Sequence, residues 1–413
     1  MTATPLPARA GKLPLFASDL RGLLKLGVDA TVGVTDIVEA MHHTIGSGSG
    51  IVGAAPTGRT NVRTTGITGF VYRTVRGTTT LVGRGLDKVM APVTERLPPG
   101  ESTARRDAAM AVLNGIWGDH LVATGNPLAI PMALRCDGQP LELSSDALAQ
   151  RFPQASGHVI VLVHGLCMND HQWQRKGHDH GQVLARELGA TALYLHYNSG
   201  RHVADNGHDF AQVLQRLLSA WPVPLQTLTL IGHSMGGLVI RSACLAAEQQ
   251  KLDWLPRLKQ QVFLGTPHHG APLERGGHLI DMVLGISPYA APFARLGQAR
   301  SAGITDLRYG NVQRPPGGDR HTQAADDRPP SPLPAGVKTF LVAATTAETA
   351  SGLRHHLIGD GLVFLASALG EHRDPALALG VPSDQTLVVT SANHWDLLDR
   401  GEVAEQMLAW LAD

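Results

Sequence analysis

The strongest constraint on the fold is a series of short apolar runs that alternate with helix-like segments after residue 126. The run "HVIVLVHG" (158–165) is almost continuously apolar, which is typical of a parallel strand covered on both faces. Similar strand-like runs occupy residues 191–197, 227–232, 260–265, 337–344 and 385–390, and helix-like segments occupy residues 177–188 and 204–220. Asp137-Gly138 lies between two apolar stretches and predicts a tight hairpin ahead of the first of these strands. The alternation predicts a doubly wound, mostly parallel sheet.

Residues 1–125 differ in composition from the rest, with many Ala, Gly, Thr and Val residues. Residues 17–45 and 65–93 have the apolar spacing of helices, and a glycine-rich link separates them. We therefore predict a helical N-terminal extension at 1–125, of unknown role, and one α/β unit at 126–413.

Two interpretations of the N-terminal extension stay open. The simpler is a helical hairpin packed on the main domain. The other is a membrane-surface or substrate-entry element, because basic residues lie beside the apolar ones. These basic residues are Arg73, Arg76, Arg84 and Lys88.

Charge and cysteine content narrow the class of protein. The chain has 35 Lys and Arg residues against 35 Asp and Glu residues, so its net charge gives no reason to expect a nucleic-acid partner. Three cysteines are too few for a disulfide framework and favour a reducing compartment. No signal peptide or membrane span is recognised, so we expect a cytoplasmic protein, with peripheral membrane association left open. Despite 20 histidines, no motif has metal-ligand spacing, and we expect no metal.

The stretch Gly232-His233-Ser234-Met235-Gly236 breaks an apolar run between a predicted strand and a predicted helix. It fits the G-x-S-x-G pattern in the strand-turn-helix context that this pattern requires. Small residues on both sides of the serine let strand and helix pass closely. Ser234 is therefore a candidate nucleophile, although the same pattern also fits a serine that only caps a helix.

Serine needs a histidine base and an orienting carboxylate to act as a nucleophile at neutral pH. His394 follows the last predicted strand, and Asp360 lies between two glycines after the preceding strand. The order Ser, Asp, His is the one this fold class requires. Taken singly, His394 also fits a core or helix-terminal residue and Asp360 a turn residue.

The same chemistry needs two N–H donors for an oxyanion. The Met235 N–H directly follows the serine, and the Leu166 N–H lies in the loop after strand 158–165, with the Cys167 N–H as the alternate. Cys167 is also a rival nucleophile, but it lacks a histidine and a carboxylate in the required order. We expect the thiols of Cys167 and Cys244 to be buried and inert.

Several motifs together resemble the lipase and esterase branch of the α/β-hydrolases, near bacterial relatives of the GPI inositol-deacylase-like lipases. They are "VHGLCMNDHQW", "YNSGRHVADNG", "LIGHSMGGLVIRSA", "LGTPHHGAPLERGG", "GDGLVFLASALG" and "ANHWDLL". The resemblance covers about residues 125–413. It implies an α/β-hydrolase fold with Ser234 as nucleophile, Asp360 as acid and His394 as base. It also implies a helical lid over an acyl pocket in the insertion 272–335. Within this insertion, residues 314–334 are rich in Pro, Gly and charged residues, and this composition predicts a mobile loop.

Other residues near the strand ends are candidates for substrate contact. They are His164, Gly165, Cys167, His233, His268 and Trp395. His268 and His269 are interpreted as pocket-wall or turn residues, and a metal shared by His268 and His394 lacks a third ligand.

The leading hypothesis is a cofactor-independent serine hydrolase that acts on a small-molecule or lipid-like carboxylic ester. An acyltransferase with the same three residues is one alternative, and a non-catalytic membrane-binding or protein-binding module is the other.

Overall fold

The computed structural model describes residues 16–46, 64–96, 103–271, 301–314, 328–348 and 359–412. Contacts divide the chain into two compact units. The smaller unit contains residues 1–103 and 124–128, and the larger unit contains residues 104–123 and 129–413. Residues 272–300 and 315–327, which hold most of the expected lid and mobile loop, lie outside the described residues.

The smaller unit contains two paired helices, α1 (Ala17–Gly46) and α2 (Gly66–Arg96), where the apolar spacing predicts them. An ion pair of 2.7 Å joins Arg21 to Asp87 across the pair. Arg76 is buried between the helices and pairs with Asp36 at 2.7 Å and with Glu39. Of the four basic residues noted in the sequence, Arg76 is thus buried, and its charge is paired with the acidic residues of α1. In the described part of the chain, no helix is long and apolar enough to cross a membrane.

The larger unit contains an eight-stranded sheet with the order β2-β1-β4-β3-β5-β6-β7-β8. The first two strands are the predicted hairpin, in which Asp137 and Gly138 both have positive φ values, 52° and 72°. β1 is antiparallel to β4, and the pairs from β4 to β8 are parallel. The strands are β1 (Ala133–Cys136), β2 (Gln139–Pro140), β3 (His158–Val163), β4 (Thr191–His196), β5 (Thr227–His233), β6 (Leu258–Leu264), β7 (Lys338–Ala344) and β8 (Thr386–Val389).

Helices cover both faces of this sheet, as the continuous apolar run of β3 predicts. Val161 packs in the cluster that includes Phe210 and Leu238, whereas Ile160 packs on the other face with Leu184 and other residues. The helices of this unit are α3 (Ala104–Ala123), α4 (Ser145–Arg151), α5 (His180–Leu188), α6 (Val203–Ala220), α7 (Met235–Gln250), α8 (Ala302–Tyr309), α9 (Leu365–Ala368) and α10 (Gly401–Leu411). The doubly wound fold is thus confirmed.

The boundary between the units differs from the one expected at residue 125. Helix α3 belongs to the larger unit because it packs tightly on the loops that follow β3 and β4. A Cβ added to Gly115 would lie 2.2 Å from Cys167 Sγ, and one added to Gly118 would lie 1.8 Å from Asn198 Oδ1. These two glycines let α3 approach the strand ends.

Candidate functional site

Ser234 occupies the turn between β5 and α7, in a backbone conformation that L-residues rarely adopt. Its φ and ψ values are 54° and −125°. The surroundings enforce this turn, because a Cβ on Gly236 would lie 2.1 Å from the Val163 carbonyl oxygen and one on Gly232 would lie 2.6 Å from the Gly237 nitrogen. Strain of this kind costs on the order of 1–3 kcal/mol and persists only where packing holds it.

Asp360 and His394 are buried and joined by a hydrogen bond of 2.6 Å between His394 Nδ1 and Asp360 Oδ2. The other carboxylate oxygen, Oδ1, accepts backbone N–H groups from Leu362 at 2.9 Å and Val363 at 2.8 Å. The His394 N–H donates to the Asp360 carbonyl oxygen at 3.1 Å, which adds a backbone link. With Nδ1 donating to the carboxylate, Nε2 of a neutral His394 is the basic nitrogen.

Ser234 and His394 lie at the same strand ends. The Ser234 N–H donates to the Leu264 carbonyl oxygen at 2.9 Å. The His394 ring packs on Gly265, the residue after Leu264, since a Cβ on Gly265 would lie 3.1 Å from His394 Nδ1. His233 also packs against His394, with ring centroids 4.7 Å apart. Across the described residues no hydrogen bond joins Ser234 Oγ to His394 Nε2, as is common for such pairs without substrate.

Two backbone N–H groups near Ser234 have no acceptor within the described part of the chain, namely those of Leu166 and Met235. Both residues are buried. The alternate donor is occupied, since the Cys167 N–H donates to Ser199 Oγ at 2.9 Å. This pattern favours Leu166 over Cys167 as the second oxyanion donor. Ser199 was missed from the sequence, although it lies in the quoted motif "YNSG" directly after β4.

His164 and His233, both candidates for substrate contact, have interior side chains. The His164 ring stacks on Tyr197 at 4.4 Å, and its Nδ1 lies 2.9 Å from the Gly165 carbonyl oxygen. His233 Nε2 donates to the His394 carbonyl oxygen at 3.2 Å. Burial lowers the pKa of His164 to about 3, and burial together with the adjacent His394 lowers the pKa of His233 well below its ordinary value. Both side chains thus pack inside the protein at the strand ends. The interpretation of His164 and His233 as substrate-contacting residues is corrected accordingly.

The remaining substrate-contact candidates lie in different surroundings. Gly165 is next to the candidate nucleophile, since a Cβ there would lie 3.0 Å from Ser234 Cβ. The Trp395 ring packs edge-on against His394, with centroids 5.6 Å apart. The Cys167 side chain is fully buried and its Sγ lies against α3, since a Cβ on Gly115 would be 2.2 Å from it. His268 lies beside Arg241 and Phe263, with its Nδ1 3.4 Å from Arg241 Nη1.

We expect the two buried thiols to be unreactive in the folded protein. Burial raises the pKa of both Cys167 and Cys244 to about 12, whereas Cys136 is only half-buried. Titration with a disulfide reagent at pH 8 should therefore modify Cys136 first and the other two only after unfolding. Rapid labelling of Cys167 in the native protein would contradict this expectation and revive it as a nucleophile.

The protein should lose stability steeply in mild acid. Burial lowers the pKa of His164 to about 3 and of His180 to about 4, so the unfolded chain binds protons below pH 6.5 that the folded chain does not. Stability therefore falls as the pH drops from 6.5 towards these values, by about 1.4 kcal/mol per pH unit for each such histidine. His171 and His202 act in the opposite sense, because hydrogen bonds to carboxylates raise the pKa of each.

Urea unfolding between pH 6.5 and 4.5 tests this dependence. The variant His180→Gln removes one buried histidine and keeps a donor and an acceptor near Leu397, whose carbonyl oxygen lies 2.9 Å from His180 Nε2. Its slope of stability against pH should be shallower by about 1.4 kcal/mol per pH unit. An unchanged slope would show that His180 is not held neutral in the fold.

Comparisons with known proteins agree with this geometry. Residues 154–305 match the model of the PGAP1-like alpha/beta domain family. The sheet order, the strand-turn-helix at Ser234 and this match are those of an α/β-hydrolase fold. Residues 154–305 are therefore similar to this domain family, in agreement with the resemblance to α/β-hydrolases of the lipase and esterase branch.

The solved structures compared here are distant from the chain in sequence. The mature lipase BlEst2 of Bacillus licheniformis is 19% identical over 68% of this chain and 98% of its own, with a TM-score of 0.41. A thermophilic esterase from Thermogutta terrifontis is 16% identical over 62% and 90%, with a TM-score of 0.35. The Pyrococcus furiosus esterase Pf2001 is 14% identical over 62% and 83%, with a TM-score of 0.36. No curated protein matches the chain.

Proposed function

We propose that the protein is a serine hydrolase that cleaves carboxylic esters, with Ser234 as nucleophile, His394 as base and Asp360 as the orienting acid. The observation that carries this proposal is the buried 2.6 Å hydrogen bond between Asp360 and His394 at the strand ends beside the strained Ser234. Structural ion pairs of histidine and carboxylate also occur in cores. The backbone strain at Ser234 and the two unoccupied N–H groups favour catalysis over that simpler role.

The proposed reaction has two halves. His394 Nε2 takes the Ser234 hydroxyl proton as Oγ attacks the ester carbonyl, and the carbonyl oxygen becomes an oxyanion near the Leu166 and Met235 N–H groups. Collapse transfers the proton from His394 to the alcohol oxygen and leaves an acyl-enzyme. Water, activated by the same histidine, then releases the acid. The Asp360 carboxylate stabilises the imidazolium through its hydrogen bond with Nδ1.

A chain-length series of p-nitrophenyl esters tests this function and measures the acyl pocket. We expect Ser234-dependent release of acid, with kcat/KM rising towards the chain length that fills the pocket. Adding a simple alcohol distinguishes an acyltransferase from a hydrolase: an acyltransferase forms the new ester, whereas a hydrolase releases the free acid. The two products are quantified. Absence of turnover on every ester, with the fold intact, would contradict the hydrolase proposal.

A second proposal concerns helix α2, whose exposed surface combines apolar and basic side chains. Leu81, Val89 and Phe70 are exposed by 72%, 69% and 63%, and Arg73, Arg84 and Lys88 are exposed as well. Such a surface fits peripheral contact with an anionic lipid surface, where apolar side chains enter the headgroup boundary and cations meet lipid phosphates.

Flotation of the full chain with vesicles of phosphatidylglycerol tests this contact. We expect Leu81→Glu to reduce the bound fraction several-fold, while Gln249→Glu, on the exposed end of α7, controls for the same change in net charge. Equal flotation of the wild type and both variants would contradict the proposal.

A further inference from the structure

Two side chains of the loop after β4, Tyr197 and Ser199, form hydrogen bonds with the backbone of the loop after β3. The Tyr197 hydroxyl donates to the His164 carbonyl oxygen at 2.8 Å, and the Cys167 N–H donates to Ser199 Oγ at 2.9 Å. All four residues are buried. The two bonds hold the peptide groups on either side of the one that carries the Leu166 N–H.

The loop after β3 contains a tight turn whose form depends on the orientation of one peptide group. The Met168 N–H donates to the Gly165 carbonyl oxygen at 3.3 Å. Of the two central residues, Leu166 and Cys167, only Cys167 has a positive φ, 60°. These features indicate a type II turn, in which the peptide between the central residues is rotated by about 180° relative to a type I turn. A positive φ is unfavourable for a residue other than glycine, so the surrounding contacts must maintain it.

Ser199 Oγ is the contact that matches this rotated peptide. The Cys167 N–H belongs to the rotated peptide, and Ser199 Oγ is its acceptor. In a type I turn the same N–H would point to the opposite side, where Ser199 Oγ could not accept it. The hydroxyl therefore stabilises the type II form selectively.

The direction of the Leu166 N–H follows from the same turn. It belongs to one trans peptide group with the Gly165 carbonyl, so the two point in opposite directions. The Gly165 carbonyl oxygen accepts the Met168 N–H and lies 2.9 Å from His164 Nδ1. The Leu166 N–H is thus directed away from both groups. This peptide borders the candidate nucleophile, because a Cβ on Gly165 would lie 3.0 Å from Ser234 Cβ.

The loop after β4 is itself fixed by three helices. Gly200 packs on α3, because a Cβ there would lie 2.0 Å from a backbone carbonyl oxygen of that helix. Asn206 Nδ2 of α6 donates to the Asn198 carbonyl oxygen at 2.9 Å, and the Gly303 N–H of α8 donates to the Gly200 carbonyl oxygen at 3.0 Å. Ser199 Oγ is therefore an acceptor that is held in place before any substrate binds.

A buried N–H needs an acceptor wherever it lies, so Ser199 also fits a purely structural role. Its position favours a role in the reaction, because the N–H that it holds is in the residue next to Leu166 and in the strained half of the turn. We propose that Ser199, together with Tyr197, is a positioning residue of the oxyanion hole, which holds the turn in the form that presents the Leu166 N–H to the ester oxygen. The proposal rests on ester hydrolysis by Ser234 and adds residues that touch none of the reacting atoms.

Steady-state hydrolysis by Ser199→Ala tests the proposal. We expect kcat to fall by about 10- to 100-fold and KM to change by less than about 3-fold, because oxyanion stabilisation acts in the transition state. Tyr197→Phe removes the other hydrogen bond and keeps the ring, and it should lower kcat by about 3- to 10-fold. Ser242→Ala is the control, since it removes a buried hydroxyl of α7, and it should retain the wild-type kcat.

An inhibitor that forms an oxyanion separates positioning from a general loss of structure. A trifluoromethyl ketone with the acyl chain of the best ester adds to Ser234 Oγ, and the oxyanion of the resulting hemiketal takes the place of the transition-state oxyanion. Its Ki should rise in Ser199→Ala and Tyr197→Phe by the factor by which kcat/KM falls, since both quantities depend on stabilisation of the oxyanion.

Two results would overturn the proposal and leave the hydrolase function in place. One is a kcat within about 3-fold of the wild-type value in Ser199→Ala, or in Tyr197→Phe if Ser199→Ala does not fold. The other is a Ki that does not rise as kcat/KM falls. A folded wild-type protein without Ser234-dependent turnover would instead overturn the proposed function, and this proposal with it.

Discussion

Replacing Ser234 with alanine is expected to lower kcat for ester hydrolysis by about 10⁴-fold or more, with KM little changed. The reason is that the variant has no hydroxyl group for His394 to deprotonate, whereas the conformation of the surrounding backbone is unchanged. Steady-state hydrolysis of the best p-nitrophenyl ester measures the effect. A variant that retains a tenth of the wild-type rate would show that the ester is cleaved elsewhere.

Glycine at the same position provides a matched control for the backbone strain. Ser234 has a φ of 54° and a ψ of −125°, a conformation that glycine adopts without a Cβ penalty. Ser234→Gly should therefore be as inactive as Ser234→Ala but more stable than it, by about 1–2 kcal/mol in urea unfolding. Equal stability of the two variants would show that the turn is not strained.

Asparagine at position 360 is expected to reduce kcat by about 10³- to 10⁴-fold while the protein remains folded. The Leu362 and Val363 N–H groups, which donate to Asp360 Oδ1, would hold the amide oxygen. The amide NH₂ would then face His394 Nδ1 and donate to it, so the imidazole proton moves to Nε2 and the base is lost. Because the effect is on proton transfer, kcat should fall much more than KM rises.

Asp374→Asn is the control for this change. Asp374 is exposed, and its Oδ1 accepts the Ala376 N–H at 2.9 Å within the same turn. Its activity should equal that of the wild type. A kcat for Asp360→Asn within 10-fold of the wild-type value would remove Asp360 from the proposed mechanism.

Much of the architecture could be predicted because it depends on local patterns. The continuous apolar run of β3 requires cover on both faces, and the structure supplies it. The break at Gly232-His233-Ser234 predicts a sharp strand-to-helix turn, and Ser234 has the positive φ value of such a turn. Asp360 and His394 each follow a parallel strand, and the carboxyl ends of parallel strands meet at one edge of the sheet. This explains why the two residues are close in space, as predicted.

Features that depend on tertiary packing could not be predicted from the sequence. Gly115 and Gly118 resemble ordinary weak helix positions, yet they let α3 pack on the strand ends and move the boundary between the units. His164 and His233 have the polarity of contact residues but lie in the interior.

The most direct test of the central claim is labelling of the folded protein with a fluorophosphonate, followed by peptide mapping. The account predicts one phosphonylated residue, Ser234, with no labelling of Ser234→Ala and strongly slowed labelling of His394→Ala. Labelling at another residue, or no labelling of a folded wild-type protein, would contradict it.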